Sequence, residues 1–217
     1  MGIRSLNKYI LQNCNKSLRY IHLRSLSGKT IVIDTSIYLY KFIQHAINDS
    51  TDIRKIMDAS FQSDTLLSYF DNFIKILLQY KIVPIFVFDG CVPLCKQKTI
   101  EKRQLQKKEA KHKFRELYAE HCAAHLPDNT VELSNELFLQ MKSLRAKHIY
   151  ISREEIDRVK NVLIHNDIKI INAPAESDEI CADMVITHKA DMCMSDDSDL
   201  LILGCPTVLR EFDIDSL

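Results

Sequence analysis

An α/β fold built on a mostly parallel, twisted sheet flanked by helices is predicted by two observations. Short β-branched runs alternate with helical patterns along the chain, and two of those runs, TIVID (30–34) and VPIFVFD (83–89), are apolar almost throughout and end on an aspartate. Taking the elements in order, residues 30–34 read as a strand and 36–47 as a helix in which Ile37, Tyr40, Ile43 and Ile47 fall near helical spacing. A polar loop is expected around residues 48–60. Residues 65–80 carry Leu66, Leu67, Phe70, Phe73, Ile74, Leu77 and Leu78 on one broad face, with Ser63 or Asp64 as N-cap, and lead into the second strand. The stretch 96–122 is helical by composition, yet its apolar residues (Ile100, Leu105, Phe114, Leu117, Tyr118) are thin, so part of it should lie off the core. The pattern breaks at Leu126-Pro127-Asp128-Asn129, and a further helix runs through 133–148. Ser152 and Glu155 form a capping box opening a helix over 153–166, in which Ile156, Val159 and Leu163 recur. A strand at 168–171, a helix led by Pro174 through Val185, a strand at 191–195 and a last strand near 207–212 complete the reading.

With 217 residues and a hydrophobic fraction of 46%, the chain can bury a substantial core. Its seven cysteines are odd in number and scattered, and no signal peptide accompanies them, which points to a reducing intracellular compartment. Apolar stretches such as IVPIFVF fall far short of the roughly 18 residues of a membrane span, so a soluble protein is expected. Leu6 stands where a myristoylation signal wants Ser or Thr, so no lipid anchor is indicated. The formal charge of zero conceals segregation: Lys96 to Arg115 holds nine Lys/Arg against two acids, and Asn172 to Leu217 eleven acids against two Lys/Arg. A protein that holds a polyanion beside carboxylate-bound cations needs both surfaces, although the basic run alone reads equally as a solvated helix.

Four groups of acids close strands or open helices: Asp34, Asp89, Glu176 with Asp178, and Asp197 with Asp199. Singly, each has a structural use. Asp34 and Asp89 can cap the next helix or turn, and Glu176 and Asp178 in a first turn after Pro174 complement the helix dipole. Asp196, Asp197 and Asp199 are too dense for that unless a cation neutralises them. Gathered at the carboxyl edge of a parallel sheet, where ligands collect, the acids read as a site for hard divalent cations and the chain as a metal-dependent phosphodiesterase. Lys96 and Arg103 are seven residues apart. On a helix that spacing leaves them about 20° apart around the axis, so both can grip one phosphate, and Ile100 and Lys107 share the stripe.

The segments MGI, IVIDTSIYLYKF, VFDG followed by Pro93, NAPAESDEICA and SDDSDLLILGCPTVLR resemble, in order and spacing, the flap endonuclease (XPG-like) family of structure-specific 5′ nucleases, from Met1 to about Arg210. The resemblance implies a PIN-like 5′-nuclease core, with 1–217 a single nuclease domain made of an N-terminal part (about 1–95), an inserted helical arch (about 96–150) and an internal part (about 151–217). It implies that Asp34, Asp89, Glu176, Asp178, Asp197 and Asp199 hold two Mg²⁺ ions, for which Mn²⁺ can substitute. Lys96 and Arg103 match the family's catalytic basic pair, working with Asp34, Asp89, Glu176 and Asp197. Tyr40 matches an aromatic that stacks on the nucleotide beside the scissile phosphate, and Gly2 a glycine close to the DNA; Lys107, on the stripe, joins the nucleic-acid-binding set. The implied partner is DNA with a 5′ flap or 5′ end, threaded beneath the basic helices and read by shape and backbone. The implied reaction is in-line phosphodiester hydrolysis in replication or repair. A monomer without membrane contact is expected, intracellular and not secreted, in the nucleus or at a site of cellular or viral DNA replication. A sliding clamp is a possible further partner with no readable signature in these residues. Two other readings stay open: a DNA-end-binding remnant with weakened catalysis, and a PIN-like ribonuclease.

The sequence departs from the family pattern in two places. Cys91-Val92 follow VFDG where the family usually has a lysine or other polar residue and a proline. The sequence also stops at Leu217, before the region where the family places another metal-binding aspartate and a helix-two-turn-helix that binds duplex DNA with a monovalent cation; weakened duplex affinity and activity are expected if Leu217 is the natural end, and the missing half supplies them if the sequence is a fragment. Other constellations rate lower. His121-Cys122-x-x-His125 lacks a second pair at zinc-finger spacing, and Cys91-x-x-x-Cys95 reads as two small side chains. Asp34-Thr35-Ser36 lacks the second aspartate of phosphatase-type starts, and four glycines leave no phosphate loop.

Overall fold

Ile31 and Ile33 are buried against one face of the sheet and Val32 against the other, so both faces must be covered, as near-continuous apolar strands require. The computed structural model describes residues 6–58, 60–91, 93, 96–124 and 134–212. Five strands, β1 (Thr30–Asp34), β2 (Val83–Phe88), β3 (Lys169–Asn172), β4 (Met192–Met194) and β5 (Val208–Leu209), pair in parallel throughout. Their order is β3-β2-β1-β4-β5, so the chain winds outward from β1 in one direction and returns to build in the other. The crevice between β1 and β4 is therefore the topological switch point, where such sheets bind ligands.

One face carries α2 (Thr35–Asp49), α4 (Phe61–Gln79) and α7 (Arg153–His165) on an aromatic core of Tyr38, Phe42, Phe70, Phe73 and Phe86. Phe73 stacks on Tyr38 at 5.1 Å and meets Phe86 edge-on at 6.0 Å. The other face is covered by α8 (Ser177–Ile186) and α9 (Asp199–Ile202), where Met184, Val185 and Leu200 pack among small side chains such as Cys181, Ala182, Ala190 and Cys193. The helix α5 (Gln97–Ala124) buries Ala110 and Phe114 and packs on α6 (Asn135–Lys147), while its first half projects from the body. Phe114 meets His148, just past α6, with ring centroids 5.3 Å apart. The remaining helices, α1 (Leu6–Asn13) and α3 (Ile53–Met57), are short. Among the described residues no helix is long and apolar enough to cross a membrane.

Three helices return to the sheet through the same turn. Lys81, Asp167 and His188 follow α4, α7 and α8 in the left-handed region, with φ of 56°, 56° and 57°. In each, the next amide reaches back to the last turn: Ile82 to Leu77 at 2.9 Å, Ile168 to Leu163 at 3.0 Å, Lys189 to Met184 at 2.8 Å. These are Schellman ends made without glycine, whereas α9 uses Gly204 at φ 79°.

Several expectations need correction. Residues 48–60 are not one polar loop, because Asp52 caps α3 and buries Ile53 and Ile56. The helix α4 starts at Phe61, with Ser60 rather than Ser63 or Asp64 at the N-cap position, because Phe61 is itself packed against the core. Leu78 is exposed, and the inward face of α2 is Tyr38, Leu39, Phe42, Ile43 and Ile47, which leaves Tyr40 outside the core. Lys96 lies just before α5 rather than in it, and Glu176 is the N-cap of α8 rather than a first-turn residue. The last strand is only Val208–Leu209. The Ser152–Glu155 capping box is present, with Ser152 N–H donating to Glu155 Oε2 at 2.7 Å. Gly2, Leu126-Pro127-Asp128-Asn129, Cys95 and His125 lie outside the described residues.

Gly90 joins β2 to the segment before α8, donating its N–H to Ala175 O at 2.6 Å, and a Cβ there would stand 2.0 Å from Ala173 O. Gly90→Ala is expected to cost about 2 kcal/mol or more, because backbone must move. Gly204→Ala, with open space around it but a positive φ, should cost about 1 kcal/mol. Urea unfolding of the two variants checks the difference, and equal losses would refute the close approach.

Candidate active site

Strand alternation aims the acids. Asp34 shares the parity of Val32, and Asp89 that of Ile85 and Val87, so both fall on the α8 side of the sheet. Just past β4, Ser195 keeps the parity of Cys193, and Asp197 is drawn to the same side by its N–H on Ser195 Oγ. Asp34, 3% exposed, accepts the Ser177 hydroxyl at 3.0 Å and the Ser195 hydroxyl at 3.1 Å, one on each carboxylate oxygen. Ser195 belongs to the exit of β4, so this second bond spans the switch point. Ser177 also donates its backbone N–H to Asp89 Oδ1 at 2.8 Å, and Ser36 donates its hydroxyl to Asp89 Oδ2. Asp197, 9% exposed, receives the Asp199 N–H at 3.1 Å, while its own N–H binds Ser195 Oγ at 3.1 Å.

Crowding of like charge shows in the acidities. Burial first, and then Asp89, push the Asp34 carboxyl up to about 6 against the pull of the two serine hydroxyls. Burial, followed by Asp34, Asp197, Asp89 and Glu176, pushes Asp178 up to about 7. Glu176, Asp178, Glu179 and Asp199 line a groove of about 270 Å³ with Ile202 and Leu203. All six predicted acids thus face one another electrostatically or share this groove.

Cations stand opposite. The Lys96 ammonium bridges both Glu176 oxygens, at 2.6 and 2.8 Å; that hydrogen bond raises its pKa, with Asp178 and Asp199 adding to it. The Lys107 ammonium lies 4.9 Å from the centroid of the Tyr40 ring, and burial first, then Arg103, lowers its pKa. Tyr40 is 39% exposed on α2; burial raises its pKa, as do Tyr150 and Asp89, while Arg103 lowers it. Lys96, Arg103, Lys107 and Tyr40 therefore border the acids. The residues that sequence reasoning missed are the hydroxyls Ser36, Ser177 and Ser195, and Tyr150, 73% exposed beside Tyr40. Serines next to the acidic motifs, in AES and MSD, were the available signal for two of them.

The donor set is all carboxylate oxygen, the chemistry of Mg²⁺ and Mn²⁺ sites, and the raised pKa values of Asp34 and Asp178 reflect burial together with neighbouring negative charge. Among the described residues, however, no group of three or more His, Cys, Asp or Glu side chains is close enough to hold a metal. Glu176 is turned to Lys96 instead, and Asp34, Asp89 and Asp197 accept from hydroxyl and backbone donors. The residues fit divalent cations in kind.

A parallel α/β sheet with acids at its switch point and a basic helix beside them defines a class of phosphate-handling proteins. The XPG N-terminal domain matches residues 1–110 and the XPG I-region residues 167–216, and the chain belongs to this XPG-like flap endonuclease family. Flap endonuclease 1 of Theileria parva is 30% identical over 97% of this chain, and that of Cryptosporidium parvum 26% over 98%. The chain spans only 39% and 40% of those relatives' lengths. The catalytic core of Rad2, solved in complex with DNA substrate, superposes with a TM-score of 0.62 at 21% identity, covering 97% of this chain and 50% of that one. The fold is accordingly that of the PIN-like 5′ nucleases.

An acid whose folded pKa lies above its unfolded value costs stability wherever the unfolded chain would be ionised. For Asp178 the cost begins near pH 3.8 and is complete above about 7. Without divalent ions, Asp178→Asn should raise the thermal midpoint at pH 8 by about 2 °C or more, with the gain vanishing near pH 4. Calorimetry in EDTA across pH checks this; a loss of stability at pH 8 would contradict the crowding.

Proposed function

We propose that this chain is the catalytic part of a divalent-metal-dependent 5′ nuclease that hydrolyses DNA at flaps or free 5′ ends. The observation that carries the reading is the meeting of acids from four distant segments at the switch point, two of them with pKa raised to about 6 and 7. Asp34, Asp89, Glu176, Asp178, Asp197 and Asp199 would hold two Mg²⁺ ions, or Mn²⁺. Bound there, the ions would supply a more acidic water and neutralise charge on the leaving oxygen.

The chain's own residues supply the rest. Lys96, paired with Glu176 in the absence of substrate, is the cation to be exchanged onto a phosphate. Arg103 offers a planar fork to the same group, and Lys107 a further charge held over Tyr40. Tyr40 presents a ring on which a base can stack, and Ser177 and Ser195 hold Asp34 ionised and oriented. Gly2 would lie near the DNA, a role supported only by its match to the family pattern. Backbone charge and shape, rather than sequence, select the substrate. The reading includes a role in replication or repair, in the nucleus or another site of DNA synthesis, and action as a monomer.

One observation favours the weakened-remnant reading. The Lys96–Glu176 pair and the absence of a closed ligand group among the described residues describe a site that must rearrange before it binds metal. A labelled 5′-flap duplex incubated with Mg²⁺, beside single-stranded RNA and an Asp197→Ala control, separates the possibilities. Flap cleavage abolished in Asp197→Ala is expected; binding without cutting supports the remnant, and preferred cutting of RNA supports a ribonuclease.

Lys96→Ala and Arg103→Ala should each lower flap cleavage about 100-fold or more while divalent binding persists, and in Lys96→Ala it should tighten because Glu176 is released. Undiminished turnover would remove these cations from the reaction. DNA affinity should fall linearly on a log–log plot against salt, and a flat profile would exclude a basic-helix contact.

A further inference from the structure

The acidic run Ser195–Asp199 divides between the two faces of the sheet. Ser195 and Asp197 continue the parity of Cys193 toward α8, whereas Asp196 continues that of Met194, on the face covered by α2. There its charge is fully engaged. Lys41 of α2 donates to Asp196 Oδ2 at 2.8 Å, the Glu211 N–H donates to Oδ1 at 2.7 Å, and the Arg210 guanidinium donates to the Asp196 carbonyl at 2.7 Å. Lys41 donates in addition to Phe212 O at 3.1 Å. The Phe212 ring packs at 5.1 Å from Phe73, in the aromatic core. With side chains 26% and 30% exposed, Lys41 and Asp196 form a partly buried pair rather than a screened surface one.

This places the pair at a junction. Lys41 follows Tyr40, the ring that meets Lys107, and lies on the helix that Asp34 opens. Asp196 precedes Asp197, and Asp199 is tied to Asp197 through its N–H. Asp197 thus rides on a short loop whose other side is bolted to α2 and to the 210–212 segment, with Asp199 opening α9 directly after it. Cutting the bolt would free the loop and add an unpaired anion beside it.

We propose that Asp196 is a positioning residue: gripped by Lys41 and the Glu211 amide, it holds Asp197 and Asp199 in register with Asp34 and so sets the divalent-cation affinity of the acid cluster. The inference rests on the metal-dependent reading above and deepens it. Groups that orient metal ligands from behind commonly change metal affinity about 10- to 100-fold when removed.

The test is a Mn²⁺ titration followed by electron paramagnetic resonance. It compares the unaltered chain, Asp196→Asn, Lys41→Met, their double variant and Lys41→Arg, with thermal unfolding and DNA-end binding in EDTA measured on each. Each single substitution should weaken Mn²⁺ binding about 10-fold. The double variant should be no weaker than either single, Lys41→Arg should recover most of the loss, and DNA-end binding in EDTA should not change. Unchanged Mn²⁺ affinity in the folded variants would overturn the proposal, as would a parallel loss of DNA binding, which signals general loosening. If Asp196→Asn does not fold, Lys41→Met and Lys41→Arg decide the matter. Mn²⁺ binding without flap cleavage in the unaltered chain defeats the nuclease reading and leaves this one standing; no Mn²⁺ binding at all defeats both.

Discussion

A carboxylate taken out of water at the end of a central strand must find donors or a counter-charge, and Asp34 is the group on which that demand falls. Strand parity turns it inward toward α8, where burial disfavours its ionised form. Two serine hydroxyls answer the demand, and each belongs to a segment that carries other acids. Ser177 opens α8 beside Glu176 and Asp178 and reaches Asp89 through its amide; Ser195 ends β4 ahead of Asp197 and Asp199. Satisfying one buried group therefore ties together all four acidic segments. Gly90 tightens the same knot, since only a residue without Cβ lets the exit of β2 lie against Ala173 and Pro174.

Opposite charge has to be held near this cluster without collapsing into it. The first half of α5 is too rich in lysine and arginine to bury, so only Ala110, Phe114 and their neighbours anchor the helix on the body. The charged half is left standing beside the acids, with Lys107 over Tyr40. Lys96, where the chain enters this helix, is the one described contact in which a cation closes directly on a carboxylate of the cluster. Composition alone thus sets which part of the helix packs and which part stays in solvent.

Much of this was legible in the residues, and the misses share a cause. TIVID and VPIFVFD announce buried parallel strands because no polar side interrupts them, and their terminal aspartates mark the functional edge. The Ser152 helix announces itself through its capping box. What escaped was local backbone chemistry without a sequence marker. Lys81, Asp167 and His188 take left-handed turns that a reader expects of glycine, so those helix ends carry no stop signal. The helix α3 is a five-residue element, too short for periodicity to register. At the site, acids stand out by density, but the division between Asp196 and its neighbours depends on strand parity and on Lys41, far away in sequence. The hydroxyls of Ser36, Ser177 and Ser195 are invisible to a search for charge, although they decide where Asp34 and Asp89 point.

The two faces of the sheet divide the work that the acids make necessary. On the α2 side, large aromatic and aliphatic side chains interlock, and this is where burial stabilises the fold most. On the α8 side three alanines and three cysteines are mixed with Val32, Ile85, Val87, Met184, Val185 and Leu200 and no aromatic ring, so the side chains are smaller on average and a helix can approach the strands closely. That closeness is what brings the Ser177 hydroxyl to Asp34 and its amide to Asp89. A bulkier residue at Ala182 or Cys181 would add apolar area while pushing α8 outward, and the serine bridge would be lost with it. The thin face therefore gives up packing for proximity, and the crowded carboxylates give up further stability through mutual repulsion. Both losses fall on the same side and are offset by the thick core behind β1. Asp196, the one acid of its run that faces that core, is also the one that meets a lysine there.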